Sequence, residues 1–285
     1  EDLGGGFSAS FWLESALLPQ TGSFMGTFFN RRSTVSLGSR QWGELRMGRD
    51  YTPTFWNVSR FSPFGNNGVG AASNTINGWP FGLEHGPGPG NPTRSTPLVR
   101  LDNSIGYFLP QNLGGFYGQA MVNLAQGAVG AKYHGMRLGY AAGPLDIAGG
   151  VGFNKLAGGE DYRISTLGAT YDFGLVKLYA NYLLQRVPGD KSTNVLLGAG
   201  VPVGATGEIK VSVARTNESG PGVDADDASQ VALGYVHRLS KRTALYAFAS
   251  RVRNEGAAAY NTGTGVPATA GVNASGVQLG ISHDF

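Results

Sequence analysis

Toward its end the chain alternates residue by residue: Val277, Leu279, Ile281 and the terminal Phe285 fall on one face, Gln278, Gly280, Ser282 and Asp284 on the other. A period of two is the period of a β-strand, and a strand with one apolar and one polar face belongs at a boundary between two media. The pattern recurs near the start. Phe11 and Leu13 oppose Ser10, Trp12 and Glu14, and Val35 and Leu37 oppose Arg32, Thr34 and Ser36. Followed through the chain, it predicts fourteen strands, the first seven near 7–17, 30–38, 43–51, 100–109, 115–124, 132–142 and 145–154. The rest lie near 163–173, 175–186, 192–203, 206–217, 227–238, 242–253 and 273–285. Most approach the ~10 residues that a tilted strand needs to cross an outer membrane.

No apolar run reaches the ~18 residues of a spanning helix, so any crossing is made by strands. The mean hydropathy of −0.12 fits, because a barrel wall averages its wet and greasy faces to near neutrality. Glycine is abundant, 46 of 285 residues, and only 14% of residues are charged. Glu1 to Gly6 lack a basic start and an apolar core, so no signal peptide is read and the chain is expected to be mature or clipped. With no cysteine, disulfides and thiolate chemistry are excluded. The net charge of +3 comes without a basic run, so no nucleic-acid partner is expected.

The links between strands divide into two kinds. Ser39 to Trp42, Pro110 to Gly114, Gly143 to Pro144, Phe173 to Gly174 and Ser240 to Arg242 read as tight turns. Glu218 to Asp226 and Asn254 to Val272 are longer and polar, and the alternation of short with long is that of a barrel's periplasmic turns and extracellular loops. One link, Thr52 to Val99, is far longer and carries Trp56, Phe61, Phe64, Trp79 and Phe81. Such a loop is usually functional. Its aromatic residues need a surface to pack on, and the inside wall of a wide barrel offers one. The chain is therefore read as a single domain, 1–285, with 52–99 as a constriction loop within it.

The segments EDLGGGFSASFWLES, FNRRSTVSLGSRQWGELRMGRDYTP, LDNSIGYFLP and GVQLGISHDF occur in the order found in the general-diffusion porins of Gram-negative bacteria. The chain resembles that family along its whole length, most of all the betaproteobacterial anion-selective branch of the Comamonas and Delftia kind. The resemblance implies an all-β transmembrane antiparallel barrel of sixteen strands, a homotrimer in the outer membrane, and a third loop folded into the lumen. It implies a water-filled channel for passive diffusion of small hydrophilic solutes, with lipid and lipopolysaccharide around it and small anions, organic acids included, passing through. Phe285 resembles the signal read by the outer-membrane assembly machinery, whereas His283 stands where many barrels carry an aromatic residue. Family members carry about two further strands before the EDLGGG turn, so either an opening hairpin is absent from this chain, the favoured expectation, or the barrel is smaller than the family's and closes with fourteen strands.

A porin works through the field across a narrow wet opening, so the sign and position of lumen charges are its mechanism. The alternation puts Arg32, Arg46, Arg100, Arg137, Lys177 and Lys210 on polar faces, against Glu14, Glu44, Asp102 and Asp146. Arg32, Arg46 and Arg100 flank the long loop and are expected to form a basic cluster at the constriction. Arg49, Arg60 and Arg94 add charge at the loop's base and within it, with facing that the sequence does not reveal. Closely spaced guanidinium groups on a low-dielectric wall concentrate anions. The competing reading pairs each arginine with Glu44, Asp102 or Glu84 and removes the selectivity.

Other constellations carry less. Asp224, Asp226 and Asp227 could hold Ca²⁺ weakly in a loop, but lack EF-hand spacing, and a solvated acidic loop is the plainer reading. No other cofactor is expected. Tyr117, Tyr133 and Tyr179 are candidates for the pore lining; Tyr107, Tyr140, Tyr171 and Tyr182 are candidates for an interfacial girdle. His85, His134, His237 and His283 show no metal-ligand spacing. Neither GxSxG nor HExxH occurs, so an outer-membrane enzyme has no motif to support it. A soluble β-rich binding protein would need a buried core instead of a lipid-facing band. A substrate-specific channel differs from a general one by saturable flux.

Overall fold

The computed structural model describes residues 1–18, 21–24, 26, 28–76, 99–124, 132–155, 161–221, 223–263 and 268–285. Its sheet begins with β1 (Asp2–Gly4) and β2 (Phe7–Glu14), followed by β5 (Arg32–Ser39) and β6 (Gly43–Tyr51). Next come β7 (Arg100–Phe108), β8 (Phe116–Asn123), β9 (Tyr133–Ala142), β10 (Leu145–Lys155) and β11 (Asp161–Asp172). It ends with β12 (Lys177–Val187), β13 (Asp190–Val203), β14 (Gly207–Ser219), β15 (Ala228–Arg238), β16 (Thr243–Asn254) and β17 (Ala274–His283). These fifteen strands pair in sequence order and antiparallel. A separate miniature hairpin, β3 (Leu17–Leu18) with β4 (Ser23–Phe24), lies in the link between β2 and β5.

All fourteen strands expected from the alternation are present, with ends that differ by a few residues. The addition is β1, which the sequence reading treated as part of a turn: Asp2 pairs with Ser8 and Gly4 with Phe7. Links are short at one end of the sheet and long at the other, with one departure from the expected alternation. Pro188 and Gly189 join β12 to β13 at the long-link end, where Gly189 takes φ +90°, a conformation that a side chain would strain.

The wall is sorted as its alternation requires. Leu37, Met47, Leu138, Leu167, Leu197, Val213, Val231, Leu233 and Leu279 are exposed on the outer face, an apolar band that only lipid can satisfy. At the short-turn end the band is edged by rings: Tyr107 donates to the Trp42 carbonyl at 2.8 Å, Phe116 meets Tyr140 and Tyr171 meets Phe173. Tyr107, Tyr140 and Tyr171 thus lie where a girdle belongs. Tyr182 does not: it sits mid-strand, opposite Leu167 and Val195, because the register of β12 places it at the height of the apolar band.

The curvature of the sheet follows from what it wraps. After Tyr51 the chain enters helix α1 (Pro53–Arg60), whose start is set by Thr52, accepting from the Phe55 amide at 3.2 Å, and by Pro53 at the first helical position. A 3₁₀ turn (Ala72–Thr75) follows. Asn57 bonds the Ala148 carbonyl of β10 and the Thr166 hydroxyl of β11; Asn181 of β12 donates to the Val58 carbonyl; Asn194 of β13 donates to the Thr75 hydroxyl. Thr216 of β14 donates to the Thr75 carbonyl, Gln230 of β15 to Gly70 and Ala71, and Ser250 of β16 to Val69. Gln278 of β17 accepts from the Val69 amide at 3.2 Å. Eight consecutive strands therefore touch one short segment from the same side, which a sheet achieves only by curling around it.

Two further features seat the segment. Val58, Ala72 and Ile76 form an apolar cluster with Tyr162, Ile164, Leu183, Leu196 and Ala214 from the inner faces of β11 to β14. Inner-face glycines give the loop room: a Cβ on Gly168 would overlap the Phe61 ring, and one on Gly198 would lie 2.7 Å from Pro63. Of the five aromatic residues that suggested an inward loop, Phe61 and Phe64 are buried this way and Trp56 lies on α1. Trp79 and Phe81 fall outside the described residues.

Candidate pore site

The docked segment occupies the side of the lumen formed by β10 to β17, and the opposite wall, β2 to β9, carries most of the lumen arginines. On β5 and β6 the inward parity gives Arg32, Glu44, Arg46 and Asp50. Arg46 grips Glu44 with two parallel bonds of 2.9 and 3.0 Å and reaches Asp50 at 2.8 Å. Such a fork is among the stronger side-chain interactions. Arg32 lies 3.3 Å from Asp50 and stacks over the Trp12 ring at 4.9 Å, while Arg46 lies over Phe108 at 4.0 Å. Asp50 is 1% exposed, and its charge is held by two arginines and by the Tyr51 amide, which donates at 2.8 Å.

At the long-link end of the same wall, Arg31 pairs with Glu14, which also accepts from the Tyr51 hydroxyl at 3.1 Å. The Tyr51 ring stacks on Phe55 of α1 at 4.7 Å and lies beneath the Arg100 guanidinium at 5.1 Å. Farther round, Tyr117 of β8 lies between two guanidinium groups, Arg60 of α1 at 4.5 Å and Arg137 of β9 at 5.6 Å. Its hydroxyl donates to Asp146 at 2.7 Å, and Arg60 takes the other oxygen of that carboxylate at 2.6 Å. Arg137 also approaches Trp56 of α1, 5.9 Å from the ring. A cavity of about 1320 Å³ opens from the short-turn end onto Ser8, Ser10, Glu44, Phe108, Tyr117 and Arg137.

The expected cluster is thus split. Arg32 and Arg46 are neutralised in part by Glu44 and by Asp50, an acid that the sequence reading overlooked although the alternation 44, 46, 48, 50 places it inward. Arg100 and Arg137 have no ion pair among the described residues, and the buried Nε of each meets no hydrogen-bond acceptor there. A buried donor without a partner costs free energy. Arg60 faces the lumen but is paired with Asp146.

Arg49 departs from the group. It keeps the parity of the lipid-facing Leu45 and Met47, and opposite it β7 carries an extra residue, since Gly48 pairs with Ser104 but Asp50 with Leu101, with Asn103 at φ +51°. It is tied to Asp102 and to the Asn30 carbonyl at 2.7 Å, so neither Arg49 nor Asp102 joins the lumen charges. Lys177 and Lys210 do point inward, but near the short-turn end and away from α1; Lys177 lies over the Tyr179 ring at 5.6 Å. Arg94 and Glu84 lie outside the described residues. Tyr117 lines the opening, whereas Tyr133 is buried against α1's side of the wall, 3% exposed. Arg31 was also missed: the expected strand 30–38 puts it on the face opposite Arg32, but β5 starts only at Arg32, so that parity does not govern its side chain.

Across this wall and α1, the guanidinium groups of Arg31, Arg32, Arg46, Arg60, Arg100 and Arg137 face the carboxylates of Glu14, Glu44, Asp50 and Asp146. Cations are in excess. Asp224, Asp226 and Asp227 do not converge: Asp224 caps the Gly220 amide, Asp226 the Ala257 amide, and Asp227 binds Arg215 and Asn217. Among the described residues no group of three acidic or histidine side chains is placed to hold a metal. Phe285 is fully exposed beyond β17, its ring 4.8 Å from His283.

A curled antiparallel wall with a lipid-facing band, a wet interior and a segment folded inside it defines an outer-membrane channel. The chain belongs to the Gram-negative porin family, whose model matches residues 1–257. It is 38% identical to outer membrane porin protein 32 of Delftia acidovorans, over all of this chain and 82% of that one. Among solved structures, the anion-selective porin from Comamonas acidovorans superposes with a TM-score of 0.82 at 34% identity, covering 100% of this chain and 87% of that chain. The trimer form of OmpT from Vibrio cholerae matches with a TM-score of 0.70 at 15% identity, over 98% and 86% of the two chains, a likeness of fold. The protein is an integral outer-membrane porin and, like its relatives, a channel with no reaction to catalyse.

Proposed function

We propose that this porin passes small anions, organic acids among them, through an opening between the inward segment 52–76 and the arginine-bearing wall of β5 to β9. The observation that carries this is the pair Arg100 and Arg137, cations on that wall with no carboxylate partner among the described residues. In a narrow, low-dielectric passage two uncompensated charges raise the local anion concentration and the barrier to cations. Paired arginines such as Arg46 contribute rigidity and a polar surface, but little net field. The relative from Comamonas is named an anion-selective porin, which supports the same sign. A homotrimer embedded in lipid and lipopolysaccharide is part of the proposal, supported by the trimeric Vibrio cholerae neighbour; the passive process needs no cofactor.

The test is the reversal potential of single channels in a planar bilayer under a KCl gradient. Anion sign in the native protein, weakened when Arg100 and Arg137 are both changed to Gln, is the expected result. Cation sign in the native protein would overturn the selectivity while leaving the porin fold untouched.

A further inference from the structure

Among the described residues, a group of cations stands on the outer, lipid-facing side of the wall at its long-link end, where the pore does not need them. Arg163 of β11 is the direct cross-strand partner of Arg186 in β12, and Arg186 is the partner of Lys191 in β13. Like charges directly opposite one another are unfavourable. Among the described residues one carboxylate serves this row: Asp161 lies 3.7 Å from Arg163 and is shared with Lys155 at 2.7 Å. Arg186 and Lys191 have no ion pair among the described residues. On the next three strands, Arg215 of β14, Ser229 of β15 and Arg253 of β16 form a second row, with Arg251 one step lower, opposite Val231. Asp227 holds Arg215 at 3.3 Å, but Arg251 and Arg253 have no carboxylate among the described residues. Ser229, Val231, Arg251, Arg253 and Asn273 line a cleft of about 560 Å³ on this outer face.

Directly below both rows, on the same face, the wall becomes apolar: Leu167, Val195, Leu197, Val213, Val231 and Leu233 are all exposed. A ligand suited to this surface has anionic groups at the height of the arginines and acyl chains beneath them. We propose that the rows Arg163–Arg186–Lys191 and Arg215–Arg251–Arg253 bind the phosphate groups of a phosphorylated outer-leaflet lipid. The bound phosphates relieve the cross-strand repulsion, so lipid and wall stabilise each other. This rests on the placement of the protein in the outer membrane and gives its lipid partner a specific site.

The test uses the folded protein in detergent, with diphosphorylated lipid A, phosphatidylcholine and inorganic phosphate as separate probes and thermal unfolding as the readout. Lipid A is expected to raise the unfolding temperature of the native protein saturably. In the variant carrying Arg186→Gln, Lys191→Gln and Arg253→Gln the apparent affinity should fall about tenfold or more, as expected when charge-assisted phosphate contacts are removed. Without lipid, the variant should unfold no earlier than the native protein, because repulsion has been removed. An equal response of the variant to lipid A overturns the proposal, as does an equal response of the native protein to phosphatidylcholine or to inorganic phosphate. Loss of the native oligomer by the variant on size-exclusion chromatography also overturns it, since the rows would then be a contact between copies. Conductance of the variant reads the pore separately, because these side chains lie outside it.

Discussion

The two halves of the barrel wall are built from the same alternating strands, yet their inner faces differ in kind. From β10 to β17 the inward positions that meet the segment from Thr52 to Ile76 are mostly Asn, Gln, Thr, Ser, Gly and aliphatic residues, and charged side chains such as Lys177 and Lys210 stand clear of it. From β2 to β9 arginines, carboxylates and aromatic rings stand among Ser, Thr, Gln and Gly, and they border a cavity. A strand interior facing an irregular loop must supply hydrogen bonds to the loop's backbone, and neutral amides do so without the desolvation cost of a charge. A wall facing water and solute can keep its charges. Amides therefore mark where the loop rests, and arginines mark where the opening lies.

The sharpest way to break this contrast is to reverse charge on the open wall. Arg100→Glu with Arg137→Glu should lower the anion-to-cation permeability ratio by about tenfold or more, the scale on which clustered charges alter local ion concentration. Reversal potential in a salt gradient reads it, and an unchanged ratio would place selectivity elsewhere. Next in size is the docked wall. Gly168→Leu fills the space of Phe61 and should destabilise the protein by about 1–3 kcal/mol, the usual cost of overpacking. Urea unfolding measures the loss, and single-channel conductance should rise as the segment is displaced.

Smaller still is the loss of one docking amide. Asn194→Leu leaves the Thr75 and Thr216 hydroxyls short of a donor, for about 1–3 kcal/mol, with altered conductance noise as the segment loosens. The smallest effect is expected from Lys177→Gln and Lys210→Gln, inward cations remote from α1. At 0.1 M salt the Debye length is about 10 Å, so their removal should leave the permeability ratio nearly unchanged. If the pair matters as much as Arg100 and Arg137, the opening is controlled at the short-turn end instead.

Much of this architecture is written locally. The alternation in Val277 to Phe285 or Phe11 to Glu14 reports which side chains meet lipid, since a period of two needs no partner to be read. Aromatic residues in the long link pointed to a surface inside the barrel, and Phe61 and Phe64 lie on one. Thr52 and Pro53 begin a helix for reasons contained in two residues, although that helix was not foreseen. Parity also put Arg32, Arg46, Arg100 and Arg137 on the inner face.

Neutralisation, by contrast, depends on distances across strands. Asp50 shares the parity of Arg46, but that it takes Arg32 as well follows from the register of β5 against β6. The extra residue on β7, where Ser104 and Leu101 face Gly48 and Asp50 and Asn103 takes φ +51°, turns Asp102 toward the outward-facing Arg49, and a one-residue slip of that kind leaves no trace in composition. The like-charged rows of Arg163, Arg186 and Lys191 exist only because three strands are paired in one register. The sequence by itself thus determined the strands, their two faces and the family. Only the tertiary structure decided which arginines keep a free charge, because pairing is a matter of angstroms between residues far apart in the chain.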